Sequence, residues 1–253
     1  MAKIISFANQ KGGVGKTTSA VNVAASLGII GFRTLIVDLD PQGNTTSGVG
    51  ISKKALKMTT KEALLGQAKP EEVIIKTNFE NLSVIPCNVS LAGAEFDLFD
   101  YDSAEYRLKN FLSEVNDDFD YIIIDCPPSL GMLTVNAMAA SDGVVVPMQC
   151  EFYALEGLSQ LIMTIRRINK LYNPELSVCG ILVTMYNRRL LLSAQVISEL
   201  EKHYGDRLFD TKISRNVKLS EAPSFGKPVY YHDKRGKSTL EYIEVAKELS
   251  KRI

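Results

Sequence analysis

A glycine-rich segment between a predicted strand and a predicted helix constrains the fold of this chain more than any other feature. The apolar run 4–8 predicts a buried strand, and residues 16–29 predict the helix that follows. Between them, from Lys11 to Thr18, the sequence is KGGVGKTT. Glycines permit the positive φ values of a tight turn and a close approach of backbone N–H groups to an anion, and the helix N-terminus adds partial positive charge. The segment therefore predicts a phosphate-binding loop.

The residues of this loop have distinct expected parts in holding a nucleotide. We expect Lys16 to lie over the outer phosphates and the Thr17 hydroxyl to ligate Mg²⁺. Lys11 begins at the mouth of the turn, where reaching its own outer phosphates would be awkward, so we expect it to reach a nucleotide held by a facing subunit. A solvated surface lysine is the plain alternative. The expected nucleotide-binding residues of the loop are Lys11, Gly12, Gly13, Val14, Gly15, Lys16, Thr17 and Thr18.

Alternating strand and helix patterns predict a doubly wound α/β fold. Apolar runs without alternation are typical of parallel strands covered by helices on both faces. The predicted strands are 4–8, 34–37, 82–86, 121–124, 143–147 and 180–184. The predicted helices are 16–29, 103–115, 153–172, 191–204 and 238–253. We expect one P-loop domain over residues 1–253, with a mostly parallel sheet and irregular structure at 53–70 and 208–237.

Three aspartates follow predicted strands, at the sheet edge where folds of this kind bind ligands. Asp125 ends the run 121–124 and is expected to hold Mg²⁺ through water. Asp38 and Asp40 are one residue apart, so on an extended chain they point the same way. We expect one to orient a magnesium-bound water and the other to position the attacking water. Helix capping or turn formation is the structural alternative for all three.

These residues define two candidate sets. The candidate catalytic residues are Lys11, Lys16, Asp40 and Asp125. The candidate magnesium-binding residues are Thr17, Asp38 and Asp125.

Charge is unevenly distributed along the chain although the whole chain is neutral, with 29 basic and 29 acidic residues. Residues 188–237 contain 11 Lys and Arg against six Asp and Glu. A basic region on a neutral protein indicates a patch for an acidic partner, and ordinary solvated loops are the alternative.

Cysteine usage and hydropathy indicate the compartment. The four cysteines are widely spaced and form no C-x-x-C pair, which favours a reducing environment without a disulfide framework or zinc site. No apolar run approaches the roughly 20 residues that span a bilayer. The first strand begins almost at Met1, so we expect no signal peptide and a cytoplasmic protein.

Four segments together resemble the ParA/Soj chromosome- and plasmid-partitioning ATPases, in the deviant-Walker-A (MinD/ParA) group of P-loop proteins. They are KGGVGKTT, LIVDLDPQGN from Leu35, YIIIDCPPSLG from Tyr121 and LSEAPSFGKPV from Leu219. The resemblance extends from residue 3 to about residue 250. It implies that the protein binds ATP and Mg²⁺ and closes into a face-to-face homodimer in which Lys11 reaches the partner's nucleotide and Gly12 packs at the interface. Asp40 would be tied to hydrolysis.

The resemblance also implies partners. The ATP dimer would bind double-stranded DNA without sequence preference and so associate with the nucleoid. A ParB-type protein would stimulate ATP hydrolysis. The implied DNA-binding residues are Arg189, Arg215 and Lys218, with Lys218 standing where arginine is common and Ser214 where proline is common. The implied adenine contacts are Met185, Asn187, Asn216 and Pro223.

A MinD-like membrane-cycling ATPase is the main alternative, and it would need an amphipathic C-terminal helix. That helix has an apolar stripe of Leu240, Ile243, Ala246, Leu249 and Ile253. Acidic residues on its polar side, at 241, 244 and 248, are unfavourable near anionic lipid. Core packing is therefore the favoured interpretation, and no stable membrane association is expected.

Two further alternatives are open. An iron–sulfur reductase would bridge a cluster between subunits through cysteines such as Cys126, whereas cysteines beside strands usually act as small apolar residues. A regulatory protein that binds ATP without turnover is the other alternative, and the presence of Lys16 and Asp40 speaks against it.

Overall fold

The computed structural model describes residues 1–253 and contains a seven-stranded sheet between two layers of helices. The strands are β1 (Lys3–Phe7), β2 (Thr34–Asp38), β3 (Ile75–Lys76), β4 (Leu82–Ile85), β5 (Tyr121–Asp125), β6 (Gly143–Gln149) and β7 (Ser177–Thr184). Their order across the sheet is β3-β4-β2-β5-β1-β6-β7, and only the β3–β4 pair is antiparallel. The predicted doubly wound, mostly parallel fold is confirmed.

Twelve α-helices connect and cover these strands. They are α1 (Lys16–Ile29), α2 (Asn44–Gly48), α3 (Thr60–Leu65), α4 (Pro70–Val73), α5 (Leu91–Leu98), α6 (Arg107–Ser113), α7 (Met132–Ala140), α8 (Ala154–Leu171), α9 (Leu191–Tyr204), α10 (Val217–Glu221), α11 (Val229–His232) and α12 (Lys237–Arg252). The sequence predicted five of them, and the helix expected at 103–115 instead begins with a 3-10 turn before α6.

The prediction of irregular structure at 53–70 and 208–237 was wrong, because both segments contain short helices. Elements of four to six residues are too short to show a helical period. A local signal did exist for α3: Thr59 accepts a hydrogen bond from the Lys61 N–H, and the Glu62 carboxylate accepts one from the Thr59 N–H. This Thr-x-x-Glu capping box marks a helix start in the sequence.

Apolar side chains are buried on both faces of the sheet. On one face, Phe7 and other strand residues pack against α1 and α12 through buried residues such as Val23 and Val245. On the other face, Leu35 and Ile122 belong to a second buried cluster that includes residues of α3 and α5–α8. Burial on both faces explains why the strand sequences are continuous apolar runs.

The C-terminal helix α12 packs against α1 as part of the core. Ala246 and Leu249 of the predicted stripe are buried, together with Tyr242 and Val245, which the stripe omitted. Leu240 is 57% exposed, so its assignment to the buried face was wrong. None of the helices combines the length and apolar character needed to cross a bilayer.

Strand register brings the carboxyl ends of the central strands together. In the β2–β5 ladder Asp38 lies opposite Asp125, and in the β1–β5 ladder Phe7 lies opposite Asp125. The loop that follows β1 therefore begins beside both aspartates. This register explains why residues far apart in sequence form one site.

Candidate nucleotide-binding site

The glycine-rich loop has the backbone conformation that its sequence predicts. Gly13 and Gly15 have φ values of 75° and 81°, in the left-handed region where side chains are strained. Gly15 is also the N-cap of α1, and its carbonyl accepts the first helical hydrogen bond from the Ser19 N–H at 2.8 Å. Lys16 follows at the helix start and is only 8% exposed. The exposed N–H groups and the helix N-terminus favour an anion at this position.

Two neighbouring strands hold the loop from the side. The Thr184 hydroxyl, at the end of β7, donates to the Val14 carbonyl at 2.7 Å. The Gln149 side chain, at the end of β6, donates to the Gly13 carbonyl at 2.7 Å. We did not predict either residue, although both are polar residues at the carboxyl ends of apolar strands, the criterion that identified the aspartates.

Lys11 at the start of the loop forms an ion pair with Glu151 of the same chain. Its N–H also donates to the Asn9 side chain at 3.0 Å. A side-chain carbon added to Gly12 would meet no atom within 4 Å in this chain, so close packing there would require a second chain. The reach of Lys11 into a facing subunit stays a prediction.

Asp125 is fully buried beside the loop, and its two carboxyl oxygens differ. Oδ2 accepts a hydrogen bond of 2.8 Å from the Thr45 hydroxyl, whereas Oδ1 is buried without a hydrogen-bond partner. Burial raises the pKa of the Asp125 carboxyl to about 6, against the opposing effects of Lys16, Thr17 and Thr45. A buried carboxylate oxygen without a donor is costly, so this atom fits a site for a cation or a cation-bound water.

Asp38 lies beside Asp125 and is more completely bonded to the protein. Its Oδ2 accepts from the Thr46 N–H at 2.7 Å and the Thr46 hydroxyl at 2.6 Å, and Oδ1 accepts from the Asp40 N–H at 3.3 Å. Burial and the nearby charge of Asp125 raise the pKa of Asp38 to about 7. Because its oxygens already have donors, Asp38 fits a metal site less well than Asp125 does.

Asp40 shapes the turn before α2. The Gln42 N–H donates to its Oδ1 at 3.0 Å, and its side chain is 7% exposed. This bond is the turn-forming alternative considered for Asp40 in the sequence. The other carboxyl oxygen has no assigned hydrogen bond, which leaves it able to orient a water molecule.

A cleft of about 480 Å³ lies beside the loop, and three of the four expected adenine contacts line it. Met185, Asn216 and Pro223 line this cleft together with Gly15 and Thr18. Met185 has a φ of 50°, a strained conformation for a residue with a side chain. Met185 directly follows the last residue of β7.

Asn187 does not line this cleft. It lines a neighbouring cavity of about 740 Å³, where its side-chain oxygen accepts a hydrogen bond from the Arg189 N–H at 3.1 Å. Adenine contact by Asn187 stays a prediction, as it does for the other three residues.

The expected DNA-binding residues fall on two adjoining surfaces. Arg189 and Arg215 are exposed and line the 740 Å³ cavity together with Lys237. Arg189 lies in the turn before α9, which begins two residues later. Lys218 is on α10, where it forms a 2.9 Å ion pair with Glu221 that raises the lysine pKa.

The cysteines are dispersed, and burial raises the pKa of all four thiols. Cys126 is fully buried behind Asp125, and burial raises the pKa of its thiol to about 12. A buried neutral thiol is not presented to a facing subunit, which argues against the iron–sulfur alternative. No group of three or more His, Cys, Asp or Glu side chains is arranged to hold a metal ion.

Comparison with known proteins identifies the family. A family model described as an AAA domain matches residues 2–178. The chain is 52% identical over 250 residues to the sporulation initiation inhibitor protein Soj of Bacillus subtilis (strain 168), covering 99% of both chains. The chain belongs to the ParA/Soj family of chromosome-partitioning ATPases. It is also 47% identical over 252 residues to the chromosome partitioning protein ParA of Myxococcus xanthus, covering 100% of this chain and 89% of that one.

The fold of this ParA/Soj-family chain is also similar to that of a solved structure that contains an ATP analogue. It is cobyrinic acid a,c-diamide synthase from Mycobacterium smegmatis with bound ATP analog and magnesium. The TM-score is 0.87 at 36% identity, with 99% of this chain and 95% of that chain covered. The family membership implies a nucleotide and magnesium for the site described above.

Proposed function

We propose that this protein is an ATP-dependent DNA-partitioning switch that acts as a single P-loop domain. In this proposal it binds ATP with Mg²⁺, pairs face to face with a second copy, and then binds double-stranded DNA without sequence preference. A ParB-type protein stimulates hydrolysis and so returns the protein to monomers, and the DNA-bound form localises to the nucleoid. The observation that carries the nucleotide-binding part of the proposal is the buried Asp125 Oδ1, which has no assigned hydrogen bond and lies near Lys16 of the phosphate-binding loop.

The loop and the aspartates support nucleotide binding and hydrolysis. The loop N–H groups and Lys16 would bind the phosphates, and the Thr17 hydroxyl with Asp125 would hold Mg²⁺, directly or through water. Bound Mg²⁺ would neutralise charge that develops on the phosphates. Asp40, which keeps one carboxyl oxygen free, would orient the attacking water. No arginine finger is evident within the chain, so we expect slow turnover without a partner.

Arg189 and Arg215 support DNA binding by the dimer. Both are exposed and line one cavity, and they belong to the basic region 188–237. Phosphate neutralisation needs positive charge, and pairing two copies doubles the number of contacts. The segment 214–223 lines the candidate adenine cleft and also contains Arg215. Nucleotide binding and DNA binding would therefore involve the same short segment.

The experiment that tests this proposal measures binding to non-specific duplex DNA with ATP, with ADP and without nucleotide, each at two salt concentrations. We expect binding only with ATP and Mg²⁺, and we expect it to weaken steeply at the higher salt because counterions are released on binding. Equal binding in all three nucleotide states, or no binding in any of them, would reject the switch.

A further inference from the structure

The proposed dimer depends on Lys11, and in this chain Lys11 forms an ion pair with Glu151. Glu151 lies two residues after the end of β6 and is 140 residues from Lys11 in sequence. Both side chains are about half exposed, at 48% for Lys11 and 46% for Glu151. The pair therefore lies at the surface, at the mouth of the phosphate-binding loop.

Hydrogen bonds around the pair fix the two segments against each other. The Asn9 side chain donates to the Pro147 carbonyl at 2.7 Å, and the Gln149 side chain donates to the Gly13 carbonyl at 2.7 Å. The Glu151 N–H donates to the Gln149 carbonyl at 3.0 Å. The end of β6 is thus tied to the loop on both sides of Lys11, so contacts independent of the ion pair hold the backbone segments of the two residues close together.

We propose that Glu151 is a positioning residue that holds Lys11 within its own protomer, and that two protomers pair only when a phosphate of the facing nucleotide replaces Glu151. This inference rests on the proposed function, in which Lys11 crosses to the partner. A lysine ammonium has three donors on a flexible stem, so it can exchange one anion for another by rotating its side chain.

The exchange discriminates between nucleotides. ATP presents one more phosphate group, and therefore more negative charge, than ADP does. Because Glu151 competes for the Lys11 ammonium, a facing nucleotide must bind that ammonium more strongly than Glu151 does. ADP, with less negative charge, competes less well than ATP. Glu151 would therefore suppress pairing in the ADP state and in the absence of nucleotide.

The expected size of the effect follows from the exposure of the pair. Ion pairs between exposed side chains change an equilibrium by about two- to fivefold. Two such pairs must open for each dimer, so the factor is squared. Removing Glu151 should strengthen pairing by about four- to 25-fold.

The test compares Glu151→Gln with wild type and with Glu156→Gln, a matched loss of one exposed acid in the first turn of α8. The dimer dissociation constant is measured by analytical ultracentrifugation with Mg²⁺ and a non-hydrolysable ATP analogue, and again with ADP. We expect about four- to 25-fold tighter pairing for Glu151→Gln, a detectable dimer with ADP, and no change for Glu156→Gln. The gain should shrink as salt rises, because salt screens an exposed pair.

The outcomes separate this inference from the proposed function. If wild type fails to pair with the ATP analogue, the proposed dimer itself fails. If wild type pairs and Glu151→Gln pairs equally well or more weakly, the dimer stands and the role of Glu151 is rejected. An unchanged affinity of the monomeric variant for ADP verifies that its loop is intact.

Discussion

The Thr45 hydroxyl donates a 2.8 Å hydrogen bond to Oδ2 of Asp125, a residue 80 positions later in the chain. Thr46, the next residue of α2, makes the equivalent bond to Asp38 at 2.6 Å. Two adjacent hydroxyls on one short helix therefore serve two buried carboxylates on neighbouring strands. The helix α2 is tied to the acids that face the phosphate-binding loop.

Replacing Thr45 with valine should destabilise the protein. Valine has a similar shape but cannot donate, so Oδ2 of the buried Asp125 carboxylate would lose the hydrogen bond that it accepts from Thr45. The free energy of unfolding should fall by about 1–3 kcal/mol. Urea denaturation of the nucleotide-free protein measures this change. Thr45→Ser keeps a hydroxyl and is the control, and a valine variant as stable as wild type would show that the bond contributes nothing.

The stability of the nucleotide-free, magnesium-free protein should depend on pH through Asp38. Its pKa is about 7 in the folded chain and 3.8 in the reference state, so between these values the folded state binds the additional proton. Stability is therefore highest at the acid end of this window and falls as pH rises toward 7. Asp125 has a pKa of about 6 in the folded chain, so its titration also lowers stability as pH rises toward 6.

Asp38→Asn isolates this contribution, because the variant cannot titrate at that position. Urea denaturation at pH 5, 6, 7 and 8 should show wild type losing stability relative to the variant as pH rises. Parallel stability curves for the two proteins would mean that Asp38 titrates in its ordinary acid range.

Lys11→Ala should abolish ATP-dependent pairing while largely preserving nucleotide binding, because Lys16 and the loop N–H groups remain. Ultracentrifugation with an ATP analogue measures pairing, and equilibrium titration with a fluorescent nucleotide measures binding. Lys109→Ala removes an exposed lysine of α6 and serves as the control. A Lys11→Ala protein that pairs like wild type would refute the cross-subunit role.

Asp40→Ala should slow ATP hydrolysis by about 100-fold or more, the scale of a lost group that positions or activates water. The ATP dimer should then persist on DNA. Phosphate release and the lifetime of the DNA complex are the two measurements, with Asp102→Ala as an exposed control. Rapid phosphate release by Asp40→Ala would remove this residue from the hydrolytic step.

Arg189→Glu should weaken DNA binding while leaving ATP-dependent pairing intact. Each dimer would lose two phosphate contacts, so the slope of log affinity against log salt should decrease by about two. Lys170→Glu reverses an exposed charge at the C-terminal end of α8, just before β7 begins, and serves as the control. If Arg189→Glu binds DNA with the wild-type slope, the DNA surface lies elsewhere.

The sequence determined the elements whose causes are local. The loop from Lys11 to Thr18 contains its own glycines and precedes its own helix, so its shape follows from contiguous residues. The strand before Asp125 is apolar on both faces, which predicted a buried parallel strand and placed the aspartate at the ligand-binding edge. Short helices such as α10 were missed because five residues show no period.

Tertiary structure alone decided which side chains contact this loop and these aspartates. Thr45, Thr184 and Glu151 reach their partners across 80, 170 and 140 residues, and no local pattern encodes such distances. Strand order set these contacts: β2 and β5 are neighbours, β6 lies beside β1 and β7 lies beside β6, so the carboxyl ends of these strands meet at the loop. A single sequence gives the chemistry of each strand end, whereas the packing of the sheet determines which ends meet.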